Sequence, residues 1–195
     1  MLHGRGASAH DILTLAPELD LGGIAFLAPQ AAQNAWYPQR FIAPVEQNEP
    51  WLGWALELID GLIAHIERES AIPAERVVLL GFSQGACLAL EYAARNPRRY
   101  GGLVGLSGGL IENGDRTRQY TGSLAGTPTF LGCSDVDFHI PVERVQRSTV
   151  VLRELGAEVN EQIYPGMAHT INADEIAHVR AMLEPLLNQV DAAQR

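Results

Sequence analysis

The stretch Val77-Val78-Leu79-Leu80-Gly81-Phe82-Ser83-Gln84-Gly85-Ala86-Cys87-Leu88-Ala89-Leu90 decides how the chain is read. A short apolar run containing adjacent valines suits a strand buried on both faces, and Ala86 to Arg95 has the composition of a helix. Between them, Gly81 and Gly85 flank Ser83. A strand that bends sharply into a helix needs residues without a Cβ on either side of the bend, and the bend lifts the intervening side chain above the sheet. The first helical turn then aims unpaired amides at the same point, where negative charge can be stabilised. Ser83 is therefore a candidate nucleophile.

A hydroxyl is a poor nucleophile unless a base takes its proton and a third group orients that base. His169, in Tyr164-Pro165-Gly166-Met167-Ala168-His169, follows a predicted strand and precedes the last helix, in a loop at the same carboxyl edge of the sheet as Ser83. His10, His65 and His178 read as surface or satisfied polar residues. The acid comes from Gly132-Cys133-Ser134-Asp135-Val136-Asp137-Phe138-His139-Ile140-Pro141, which holds two aspartates. Asp137 stands just ahead of the helix that Pro141 starts, whereas Asp135 suits the capping of a turn. Asp137 is favoured and Asp135 is the alternative. His139 is the runner-up base, but lying two residues from the acid leaves it little room to reach Ser83.

Outward from this centre, short apolar runs alternate with helical periodicity, as a parallel sheet with crossover helices requires. The predicted strands are Ile24 to Ala28, Val77 to Leu80, Gly102 to Leu106, Thr129 to Gly132 and Glu158 to Tyr164. Leu52, Ala55, Ile59, Leu62 and Ile66 share one helical face. A second helix follows Ser83 and stops near Asn96-Pro97, and a third runs from about Val142 to Leu155. The last helix starts at Asn172 with Glu175 three residues on, and Pro185 is expected to kink or shorten it. The stretches Pro29 to Pro50 and Gly108 to Pro128 read as connections that shape a pocket, and residues 1–195 as a single domain.

Composition excludes several alternatives. The net charge of −9 argues against nucleic-acid binding. All basic side chains other than histidine are arginines, so no lysine is present to form a Schiff base or to serve a phosphate-binding loop. Cys87 and Cys133 lack partners at metal-ligand spacing, and Cys87 reads as a small buried apolar residue. No apolar run approaches membrane-spanning length and the start has no basic region ahead of a hydrophobic one, so a cytoplasmic chain without stable membrane insertion is expected.

The motifs together resemble the phospholipase/carboxylesterase family of α/β-hydrolases, which includes acyl-protein thioesterases and is related to dienelactone hydrolases. The resemblance rests on Gly81-Phe82-Ser83-Gln84-Gly85 and on Tyr164 to His169. The family's acid motif is split here by two extra residues: Gly132 spaces correctly to Asp135, and Pro141 to Asp137. The implied fold is a three-layer α/β-hydrolase with a mostly parallel sheet and no cap domain. The implied chemistry is serine hydrolysis of an ester or thioester through an acyl-enzyme, with no metal or organic cofactor and a small-molecule acyl substrate. A homodimer is compatible with the sequence. Lysophospholipase, acyl thioesterase and lactone hydrolase are alternatives on the same triad, with a non-catalytic binding protein further off. By resemblance, Leu2-His3-Gly4-Arg5-Gly6 carries the oxyanion loop, with the backbone amides of Arg5 and Gln84 as donors, and Ala35-Trp36-Tyr37 lies where the family places aromatic residues beside the acyl pocket. Trp36, Phe138 and Met167 are expected to line that pocket. The family places one to three strands before this loop, so N-terminal strands are expected to be missing and an upstream extension to raise stability and activity.

Overall fold

The computed structural model describes residues 1–111 and 119–193. In chain order the helices and strands are α1 (Ala9–Leu13), α2 (Ala16–Leu19), α3 (Trp51–Ser70), β1 (Val78–Phe82), α4 (Gln84–Arg95), β2 (Gly102–Leu106), β3 (Pro128–Ser134), α5 (Val142–Glu154), β4 (Glu158–Tyr164) and α6 (Ala173–Ala193). The strands form a parallel sheet in the order β1-β2-β3-β4.

Side-chain alternation along the strands divides the core in two. Leu79, Leu103, Leu131 and Cys133 pack with α3, α4 and α5 on one face, while Leu80, Val104, Leu106 and Phe130 pack with Ile12, Leu19, Val179 and Leu183 on the other. The result is a three-layer arrangement with β2 buried along its whole length. Leu88 and Leu90 of α4 are fully buried, and burial of each such side chain is worth about 1.5–3 kcal/mol. Held in this way, α4 and β1 fix the turn between them.

Among the described residues, the outer side of β1 pairs with one residue. Leu2 bridges Gly81 in parallel register, its N–H donating to the Leu80 carbonyl at 2.8 Å and its carbonyl accepting from the Phe82 N–H at 3.1 Å. Residues 24–28, expected as a strand, form none: no ladder pairs the segment, and the Leu27 carbonyl accepts from the Met1 amine at 2.6 Å. Three further boundaries differ. Strand β1 begins one residue later and runs on to Phe82, β3 extends to Ser134, and α6 continues through Pro185. The short helix α1 is capped reciprocally by Ser8 and Asp11. Of the Gly108 to Pro128 connection, residues 112–118 lie outside the described residues. No helix among the described residues is long and apolar enough to cross a membrane.

Candidate active site

Ser83 sits in the turn from β1 to α4 with φ 54° and ψ −119°. A side-chain-bearing residue held at positive φ costs on the order of 1–3 kcal/mol, which the surrounding packing must hold in place. The flanking glycines make the bend feasible. A Cβ on Gly81 would lie 2.3 Å from the Gly85 carbonyl carbon, and one on Gly85 would lie 2.1 Å from the Leu2 carbonyl oxygen. The Ser83 N–H donates to the Leu106 carbonyl at 2.9 Å, tying the turn to β2.

His169 comes from the loop between β4 and α6. Its Nε2 lies 2.9 Å from Ser83 Oγ and its Nδ1 lies 2.5 Å from Asp137 Oδ2. A buried carboxylate opposite Nδ1 assigns the proton there, which leaves Nε2 as the acceptor facing the serine hydroxyl. The other Asp137 oxygen, Oδ1, accepts from the His139 N–H at 2.8 Å and the Ile140 N–H at 3.1 Å. Asp135, the alternative acid, points elsewhere: its Oδ1 accepts from the Gly166 N–H at 2.7 Å and so tethers the loop that carries His169. The His139 ring lies tilted against the His169 ring with centroids 4.8 Å apart, and Phe82 contacts the His169 ring at 4.9 Å from another element.

The segment Leu2 to Arg5 lies against the serine, since a Cβ on Gly4 would sit 3.4 Å from Ser83 Cβ. His3, which the sequence reading passed over, is fully buried. It accepts the Ala31 N–H on Nε2 at 3.1 Å and donates from Nδ1 to the Gly4 carbonyl at 2.8 Å. Among the described residues, neither the Arg5 nor the Gln84 backbone N–H has an acceptor. Amides without acceptors near a nucleophilic hydroxyl can bind an oxyanion.

The three residues expected to line the pocket have different surroundings. Trp36 is only 4% exposed, and its indole N–H donates to the His3 carbonyl at 2.8 Å. Phe138 is 79% exposed, with its ring 4.1 Å from that of His139. Met167 is half-buried, its sulfur accepting from the Asn172 amide at 2.9 Å. Arg40, unremarked in the sequence, donates to the Phe138 and His139 carbonyls at 3.2 and 3.0 Å and braces the acid loop from outside. An apolar cavity of about 250 Å³ lies elsewhere, between α3, α6 and the outer edge of β1, and none of Ser83, Asp137 or His169 lines it. Among the described residues no group of three or more His, Cys, Asp or Glu side chains could hold a metal ion. Burial pushes the Cys87 thiol up to about 12, which keeps it protonated at neutral pH.

A parallel sheet with a serine at a strand-to-helix bend, and an imidazole and a carboxylate in the loops after β4 and β3, defines the α/β-hydrolase class. Residues 1–187 match the phospholipase/carboxylesterase family, and the chain belongs to it. Acyl-protein thioesterase 1 of Yarrowia lipolytica is 27% identical over 94% of this chain and 88% of its own length. A probable SOBER1-like carboxylesterase of Arabidopsis thaliana is 29% identical over 94% and 76%. The crystal structure of a phospholipase/carboxylesterase from Dyadobacter fermentans superposes with a TM-score of 0.90 at 47% identity, covering 94% of this chain and 88% of that one. The chain is thus a carboxylic ester hydrolase of the serine type.

Proposed function

We propose that Ser83 attacks the acyl carbon of a small carboxylic ester or thioester while His169 Nε2 takes the hydroxyl proton. Asp137 holds the imidazole in the required tautomer and stabilises it when it becomes positively charged. The carbonyl oxygen, negative in the tetrahedral intermediate, is bound by the Arg5 and Gln84 amides. Collapse expels the alcohol or thiol, which takes its proton from His169, and leaves Ser83 acylated. Water, deprotonated by His169, then releases the carboxylic acid and restores the serine. The observation that carries this reading is the unbroken contact chain of 2.9 and 2.5 Å from Ser83 through His169 to Asp137.

The exposed Phe138 ring and the half-buried Met167 flank the site and offer apolar surface to the acyl chain. The reaction needs one copy of the chain, a single domain over residues 1–195. The cytoplasm suits it, since Cys87 and Cys133 are both free and buried. p-Nitrophenyl esters of increasing chain length, assayed beside an acyl thioester, test the substrate class. Both leaving groups should be turned over with the rate varying along the chain series, and both activities should vanish in Ser83→Ala. Turnover of neither class by the wild-type chain would contradict the proposal.

A further inference from the structure

Arg5 and Gln84 are 79 positions apart (84 − 5), yet their side chains converge on one short stretch of backbone. Arg5 Nη2 donates to the Tyr37 carbonyl at 2.8 Å and to the Gln39 carbonyl at 2.6 Å, and Nη1 donates to the Pro38 carbonyl at 2.8 Å. Gln84 Nε2 donates to the same Tyr37 carbonyl at 2.8 Å, while its Oε1 accepts the Trp36 N–H at 2.9 Å. One carbonyl oxygen has two lone pairs, so Tyr37 can serve both donors.

The residues that reach this shared carbonyl through their side chains are those whose backbone amides are left without acceptors beside Ser83. We propose that the Arg5 and Gln84 side chains are positioning residues, which lock the two oxyanion-binding amides into one frame through the Tyr37 carbonyl. The inference rests on the hydrolase reading above and deepens it.

The physical requirement is strict. An oxyanion donor works at about 2.7–3.1 Å from the developing charge, and losing one donor outright costs about 10²–10³ in kcat. The Arg5 amide lies on a loop, followed by Gly6 at φ 79°, and a loop amide is only as well placed as whatever holds it. A guanidinium forked over consecutive carbonyls fixes direction as well as distance, which a lysine ammonium on a flexible stem cannot reproduce. The Gln84 amide starts a buried helix, but the Trp36 to Gln39 segment that faces it is tied down by these side chains.

The test uses the full chain with Arg5→Met, Arg5→Lys, Gln84→Met and the Arg5→Met/Gln84→Met pair, none of which removes a backbone amide. For each, kcat, KM, melting temperature and the inhibition constant of a trifluoromethyl ketone are measured, the ketone's hemiketal adduct mimicking the oxyanion. The inference expects Arg5→Met and Gln84→Met each to lower kcat about 10- to 100-fold with KM within about threefold. Ketone affinity should fall in parallel, Arg5→Lys should recover part of the loss, and the pair should lose less than the product of the singles because both act on one carbonyl. Should a Met variant not fold, Arg5→Lys decides alone through kcat and ketone affinity. Unchanged kcat and ketone affinity with only a lower melting temperature would overturn the inference and leave the hydrolase reading standing. Near-wild-type turnover in a parallel Ser83→Ala control would overturn both.

Discussion

Asp137 Oδ2 reaches His169 Nδ1, while Asp135 Oδ1, two residues earlier, holds the Gly166 N–H. In the sequence these aspartates compete because the family's spacing from Gly132 selects one and its spacing from Pro141 selects the other. The fold separates them by direction. Asp137 turns inward with its side chain fully buried, and its second oxygen is held by the amides of His139 and Ile140. An amide at this position can hold the imidazole in the wrong tautomer, with Nε2 protonated and unable to accept from Ser83. Asp137→Asn should therefore lower kcat by about 10³–10⁴. Asp135→Asn keeps an oxygen acceptor for Gly166 and should change kcat by no more than several-fold. Steady-state kinetics on the two variants decide the assignment, and the reverse order would transfer the acid role to Asp135.

At the scale of an element, α6 shows what periodicity can reveal and what it cannot. Its capping box is present: Asn172 Oδ1 accepts the Glu175 N–H, and Glu175 Oε2 accepts the Asn172 N–H, each at 2.9 Å. The spacing of an Asn and a Glu three residues apart made this legible. The burial of Glu175 against β3 was not, since it depends on the close approach of Gly132, where a Cβ would lie 2.2 Å from Glu175 Oε1. Burial, with a smaller contribution from neighbouring Asp174, pushes the Glu175 carboxyl up from 4.5 to about 7, partly offset by the Asn172 amide. A folded-state value above the unfolded one means that the protonated form is favoured by folding. Its contribution is complete below pH 4.5 and is lost as pH rises through 7. Urea unfolding at pH 5 and pH 8 should show wild-type stability declining relative to Glu175→Gln by up to about 3 kcal/mol. Parallel pH dependences for the two proteins would contradict this. The segment Ile24 to Ala28 fails in the opposite direction: its apolar composition suits a strand, but a strand exists only where a neighbour supplies a ladder, and composition carries no information about the neighbour.

For the whole molecule, the residues proposed to do chemistry lie in local motifs, whereas those that hold them do not. Ser83 and His169 sit in local motifs whose glycines are demanded by backbone geometry within a few residues, so sequence order is enough to single out the pair that the fold brings within 2.9 Å. The supporting frame is non-local. Arg5 meets Tyr37 across 32 positions and Gln84 meets it across 47, and Arg40 meets His139 across 99. An arginine's targets are backbone carbonyls, which every residue has, so no residue type marks the partner. His3 was missed for the same reason, its partners being the Gly4 carbonyl and the Ala31 amide. Labelling with a fluorophosphonate followed by peptide mass spectrometry tests most directly the proposed role of Ser83 as the nucleophile. The probe should add once, to the peptide containing Ser83, with turnover lost in proportion to labelling, and Ser83→Ala should neither label nor turn over substrate. Modification of another residue with loss of activity, or turnover near the wild-type rate in Ser83→Ala, would contradict that role.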